Sequence, residues 1–322
     1  MWLITGATGF IGSALVWELN QHGVKDLLLC DHVPPSQRPQ LLNKRQYKDF
    51  VLADDLFKHV SEKKLKFDGV LHMGACSTTT ETNEEYLRRN NIEYSQKIFE
   101  LCTQQNIPLL YASSGATYGD GKKGFDDVAD PSQFQPLNLY GWSKLKFDIW
   151  ARQQKQTPSR WYGLRFFNVY GPNEYHKGEQ SSVVFKAYNQ IRETSRLKLF
   201  KSHNSKYRDG EQLRDFVYIK DITRWMWEIM QRPKVASGIY NMGYGHARTW
   251  LALASSTFGS MQKPLQIDWI DIPPSIRDQY QYFTEAKMDH LRGQNLSPAE
   301  WSLEDGVRDY VERYLQQVDS YL

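Results

Sequence analysis

Short apolar runs take turns with amphipathic stretches along the first half of the chain. Trp2 to Thr5, Leu27 to Cys30, Phe50 to Leu52, Gly69 to Met73, Pro108 to Ala112 and Trp161 to Phe166 are nearly continuous apolar runs of strand length. Runs of that kind predict strands covered on both faces. Between them, Ile11 to Gln21, Glu84 to Gln104 and Tyr140 to Gln154 place apolar residues at helical spacing. Strand–helix alternation predicts an α/β fold with a doubly wound parallel sheet, because right-handed crossovers lay the helices on both faces. After Gly171-Pro172 the rhythm changes to polar loops, a helix near Ser181 to Glu193 and a charged, turn-rich stretch from Lys201 to Gln212. A Trp-rich helix from Asp221 to Gln231 and a strand from Ile239 to Met242 can then rejoin the sheet. The expected division is 1–171 with 218–245 as the sheet domain, and 172–217 with 246–322 as a smaller, discontinuous α/β domain.

Composition narrows the function classes. The 322 residues are ample for a buried core, and 40% apolar with 24% charged side chains is ordinary for a globular protein. Forty basic against 37 acidic residues leave +3, which makes no basic field for nucleic acid. Cys30, Cys76 and Cys102 lie far apart, so neither a disulfide framework nor a thiolate metal site is expected. No run reaches the ~20 apolar residues of a membrane span. The expectation is a cytoplasmic protein with no nucleic-acid, membrane or metal partner. His72 reads as a core histidine, and Trp225, Trp227 and Trp301 as packing aromatics.

Candidate chemistry begins where the first strand runs into Gly6-Ala7-Thr8-Gly9-Phe10-Ile11-Gly12 and an amphipathic helix. Glycines there let the backbone turn tightly and approach a pyrophosphate, which the free amides and dipole of the helix favour. Asp31 closes the second strand, where a carboxylate can accept from an adenosine ribose, and Arg38 shortly after can pair with a 2′-phosphate. Asp31 favours NAD and Arg38 favours NADP. Tyr140 and Lys144, four apart on one helix, share a face. A phenol of pKa near 10 is a poor base at neutral pH, and a neighbouring ammonium favours its phenolate. Ser114 follows a buried strand at its carboxyl end, where doubly wound folds place ligands.

These elements occur in the order TGxxGFIG, SSxAxYG, YxxSK and FNxYGP. On them the chain resembles the extended short-chain dehydrogenase/reductase superfamily, whose cofactor half has the Rossmann fold. Within it, Gly74-Ala75-Cys76-Ser77-Thr78-Thr79-Thr80-Glu81, Leu110 to Ser114, Pro136 to Gly141, Asn168 to Pro172 leading to His176-Lys177-Gly178, and Tyr280-Gln281 with Phe283-Thr284 are similar to the ADP-heptose 6-epimerase family.

That resemblance implies a redox epimerisation with tightly held NADP, NAD being the alternative, acting on an ADP-heptose-type nucleotide sugar in a homo-oligomer, commonly a pentamer. It implies Tyr140 and Lys177 as two bases, Lys144 holding the nicotinamide ribose and Ser114 orienting the reacting oxygen. Cofactor contacts implied are Gly6, Gly9, Phe10, Ile11, Gly12, Asp31, His32, Arg38, Lys58, Met73, Gly74, Ala75, Cys76, Ser77, Asn90, Lys144, Val169 and Lys177. Substrate contacts implied are Ser114, Asn168, Glu179, Lys186, Phe200, Arg214 and Tyr280. Three features depart from the family pattern: Met73 replaces a carboxylate, Glu179 replaces a small serine, and Ser202 to Leu213 is lengthened. The competing readings are another nucleotide-sugar epimerase or reductase, such as a UDP-hexose 4-epimerase, and a non-catalytic dinucleotide-binding sensor.

Overall fold

A computed structural model of the chain describes residues 1–277 and 280–322. Seven parallel strands form the central sheet: β1 (Trp2–Thr5), β2 (Leu27–Asp31), β3 (Asp49–Leu52), β4 (Gly69–His72), β5 (Leu109–Ser114), β6 (Trp161–Phe166) and, later, Gly238–Met242. Between the last two lie β7 (Asn168–Tyr170), β8 (Leu197–Phe200), β9 (Leu213–Arg214) and β10 (Phe216–Tyr218). Gly238–Met242 is therefore β11, and β12 (Arg248–Thr249) and β13 (Ile267–Ile270) follow it. The sheet order is β11-β6-β5-β4-β1-β2-β3. Chain direction along the sheet reverses between β1 and β4, which opens a crevice at their carboxyl ends.

Alternation along the strands sorts the two layers. Ile4, Leu27, Leu29, Leu71 and Leu110 pack into one core with the helices Phe10–Gln21 and Ile219–Gln231. Leu3, Leu28, Val70, Leu109 and Tyr111, each one residue out of phase, pack into the other with Leu56–Glu62, Tyr94–Gln105 and Leu139–Gln153. Period-two burial on both faces is what the continuous apolar runs encode.

Outside the sheet, β7 pairs with β10, β9 with β12, and β8 with β13. A small core of Ala187, Ile191, Leu197, Leu199, Ala254 and Phe258 joins the helices Val183–Thr194 and Trp250–Ser260 to β8. Trp225 is buried and donates its indole N–H to the Ser297 carbonyl at 2.8 Å, Trp227 stacks on His22, and Trp301 packs edge-on against Tyr218. Among the described residues no helix is long and apolar enough to cross a membrane, and no cluster of His, Cys, Asp or Glu could hold a metal ion.

One predicted helix differs in detail. The Glu84–Gln104 pattern is a helix Glu84–Leu87, a wide turn Arg88–Glu93 and a helix Tyr94–Gln105. In that turn Asn91 accepts from the Cys76 N–H at 2.8 Å and donates to the Cys76 carbonyl at 3.0 Å and to Ser143 Oγ at 2.9 Å. Three fixed bonds to distant segments set the pitch there, and a local pattern cannot record them.

Candidate active site

The crevice holds two connected clefts. The first, of about 570 Å³, runs along the glycine turn, β2 and the segment after β4. The second, of about 720 Å³, runs from the end of β5 to β7 and the Trp250–Ser260 helix. Phe10, Ile11, Met73, Ala75, Ala112 and Lys177 are among the residues that line both.

The first cleft suits an extended anionic ligand. Gly6 has φ +68°, and a Cβ there would come within 2.6 Å of the Gly74 N–H nitrogen. A Cβ at Gly12 would run into the Gly6 carbonyl oxygen. The helix that starts at Phe10 has Gly9 as its N-cap and no capping side chain, so its first-turn amides remain to meet a phosphate. Residues 10–12 line the cleft. Asp31 accepts from the backbone N–H groups of Thr8 at 3.0 Å, His32 at 2.7 Å and Val33 at 3.3 Å. Arg38 donates to the Thr8 carbonyl at 3.0 Å, which brings its guanidinium to the same corner. These residues fit a dinucleotide.

Tyr140 and Lys144 project from the helix Leu139–Gln153, which Asn138 caps by accepting from the Gly141 N–H at 2.7 Å. Both side chains are buried and line the second cleft with Ser114 and Asn168. Lys144 Nζ donates to the Ala112 carbonyl of β5 at 2.9 Å, joining the helix to the strand that ends in Ser114. Burial pushes the Tyr140 phenol above its ordinary value, with the Ser114 hydroxyl pulling the other way. Burial pushes Lys144 down to about 8, with Asp148 opposing. Both groups are desolvated, and desolvation penalises each charged form, so burial works against a phenolate here.

Lys177 lies on the Tyr175–Gln180 turn with its Nζ 5.2 Å from the centre of the Phe10 ring. Burial lowers its pKa, and Glu174 works against that. Glu174, itself buried, accepts from the Gly171 N–H at 3.2 Å and from Ser182 Oγ at 2.7 Å, so it holds both ends of the Lys177 loop. Glu179 meets a cation: Lys186 Nζ approaches its carboxylate at 3.2 Å.

Most of the expected cofactor contacts line the first cleft. Lys144 and Val169 line the second instead, and Lys58 is exposed on the Leu56–Glu62 helix and lines neither. On the substrate side, Ser114, Asn168 and Glu179 line the second cleft, whereas Lys186, Phe200, Arg214 and Tyr280 do not. The Arg214 guanidinium sits over the rings of Trp250, at 5.7 Å, and Tyr280, at 5.3 Å, and donates to the Gln281 carbonyl. Trp250 and Gln281 line the second cleft, so this cluster stands just behind its wall. His176, which lines the first cleft and which burial, with Arg38 and Lys177 nearby, pushes down to about 4, had only its place in the His176-Lys177-Gly178 motif as a signal. Sequence reasoning missed Trp250. Gln281 and Thr284 had only their place in a motif as a signal.

With this geometry in view, likenesses to known proteins become specific. A model of the NAD dependent epimerase/dehydratase family matches residues 2–243. A Fusobacterium nucleatum protein named ADP-L-glycero-D-manno-heptose-6-epimerase is 44% identical over the whole of both chains. A Nitratidesulfovibrio vulgaris protein of the same name is 45% identical, again over the whole of both. The crystal structure of the Helicobacter pylori ADP-L-glycero-D-manno-heptose-6-epimerase superposes with a TM-score of 0.80 at 27% identity, covering 97% of this chain and 95% of that one. A UDP-N-acetylglucosamine 4-epimerase from Methanobrevibacter ruminantium, with a TM-score of 0.81 at 23% identity over 97% of this chain and 96% of that one, shares the fold.

Proposed function

The chain belongs to the NAD dependent epimerase/dehydratase family, among the ADP-heptose 6-epimerases, and from that membership we propose that it converts ADP-D-glycero-D-manno-heptose to ADP-L-glycero-D-manno-heptose. It is an epimerase, an isomerase that inverts a centre of a nucleotide sugar. The observation that carries the finer reading is the meeting of the two clefts beside Tyr140, Lys144, Ser114 and Lys177.

A bound nicotinamide dinucleotide supplies a reversible hydride acceptor. The chain does the rest. Ser114 orients the C6″ oxygen, and Tyr140 takes the hydroxyl proton as C6″ is oxidised to the ketone. The ketone then presents its other face, and Lys177 serves as the proton-transfer group for the opposite epimer. Two such groups, one from a helix and one from a loop, suit epimers whose hydroxyls point in different directions. Asn168 contacts the sugar. Arg214 behind the second cleft is assigned to the diphosphate, within a substrate domain of residues 172–217 and 246–322.

We assign NADP rather than NAD. Three backbone amides already occupy the Asp31 carboxylate, and Arg38 brings a cation to the same corner. A 2′-phosphate there meets a guanidinium rather than a bare carboxylate. Glu179, which departs from the family's small residue, is offset by Lys186 and so leaves the anionic substrate tolerable.

The test is product analysis. Incubation with ADP-D-glycero-D-manno-heptose should give a mixture of the two C6″ epimers by NMR. Unchanged substrate, with turnover of a UDP-hexose under the same conditions, would replace this reading with the 4-epimerase one.

A further inference from the structure

Beneath the reacting groups lies an ion pair that the proposed chemistry does not use. Asp148 follows Lys144 by one helical turn and is fully buried. Its carboxylate accepts from Tyr111 Oη at 3.1 Å and Ser113 Oγ at 2.9 Å, both on β5, and from Arg165 Nε on β6 at 3.0 Å. One side chain thus ties the helix of Tyr140 and Lys144 to the strand that ends in Ser114.

The pair is lopsided. Beyond its Nε, the Arg165 guanidinium lies over the Tyr118 ring at 4.7 Å and the Phe134 ring at 5.4 Å. Its two terminal nitrogens have no hydrogen-bond partner among the described residues. The cationic end therefore rests on aromatic faces, while the anionic end stands under Lys144. The other groups facing Lys144 are Tyr140 on its own helix, His72 from β4 and Cys76 from the segment after β4. His72 is fully buried and held neutral, pushed down to about 3 by its burial and by Lys144. Asp148 is the carboxylate that acts on the amine, and it is the chief influence opposing burial there. Packing alone would be served as well by an apolar pair of similar volume.

We propose that Asp148 is a positioning residue for the reaction: it fixes the helix of Tyr140 and Lys144 against the Ser114 strand and sets a buried negative charge one helical turn from the Lys144 amine. Arg165 completes the device by holding the carboxylate in place through its Nε.

The experiment uses the full chain with its bound cofactor. Asp148→Asn combined with Arg165→Met removes both charges and leaves no unpaired guanidinium. Its folding is checked by thermal melting and its cofactor content by absorbance. The alkaline limb of the kcat profile should move about one pH unit toward acid, a tenfold loss of turnover on that limb, with KM for the nucleotide sugar unchanged. Asp148→Glu, which keeps the charge, should hold the limb where the wild type has it. A wild-type limb in the paired variant overturns the proposal, as does a limb in Asp148→Glu displaced as far as in the pair. If neither that pair nor Asp148→Leu with Arg165→Leu folds, the ion pair is a folding element and the proposal falls. The inference rests on Tyr140 as the base, which Tyr140→Phe tests separately. Loss of turnover with cofactor retained upholds that reading even where the Asp148 proposal fails, and an active Tyr140→Phe sinks that reading first.

Discussion

At position 140, burial and charge pull in opposite directions. The phenol and the ammonium of Lys144 are both held toward neutrality by desolvation, and a positive charge brought beside the phenol favours its ionised form. An oxidised nicotinamide ring is such a charge. The spacing of Tyr140 and Lys144 was legible because one helical turn is a local property. The sign of the phenol's shift was not, because it depends on how deeply the helix sits against β5. His72 gives a measurable consequence of the same burial. Its folded pKa is pushed from 6.5 to about 3. An unfolded histidine takes up a proton below 6.5 while the folded one does not, so stability should fall as pH drops from about 6.5 to 3. The slope is roughly 1.4 kcal/mol per pH unit for this residue. Denaturant titrations of wild type and His72→Asn between pH 4 and 7 should show a shallower slope in the variant; parallel slopes would contradict the assignment.

Elements whose signal is periodic emerged from the sequence with their ends within a residue or two. β1, β4 and β6 are examples, since each is a continuous apolar run that only a strand covered on both faces requires. The wide turn Arg88–Glu93 was not legible, because Asn91 sets it through Cys76 and Ser143, 15 and 52 residues away. The same distinction applies to the site. The glycine turn and the Tyr140 helix carry local motifs, and helical spacing alone puts Asp148 one turn after Lys144, whereas its partners on β5 and β6 and the place of Trp250 at the second cleft come from tertiary packing. The glycine turn also yields a sharp prediction. Gly12→Ala puts a methyl group against the Gly6 carbonyl, and the backbone must shift to accommodate it. Purified Gly12→Ala should lose most of its bound dinucleotide, read by absorbance and mass spectrometry. Full retention would show that the turn yields elsewhere.

For the whole molecule, what matters is that two clefts share a wall and that residues from distant parts of the chain close it. Family resemblance supplied the role of Lys177, which its sequence surroundings alone would leave as a loop charge. The structure adds its neighbours, Phe10 and Glu174. Cofactor choice belongs at this scale, because Asp31, Arg38 and the glycine turn come together only in the folded sheet. Wild-type protein should copurify with NADP, and Arg38→Ala should weaken NADP about 10- to 100-fold, as expected for loss of a charge-assisted contact, while leaving NAD affinity unchanged. Equal losses for both dinucleotides would remove Arg38 from the 2′-phosphate. The proposed chemistry as a whole predicts that the hydrogen on C6″ leaves and returns without meeting solvent. Running the epimerisation of ADP-D-glycero-D-manno-heptose in D2O and reading C6″ by NMR tests this most directly. Inversion with no deuterium at C6″ is the expected result; inversion with deuterium there would mean that the centre is deprotonated rather than oxidised.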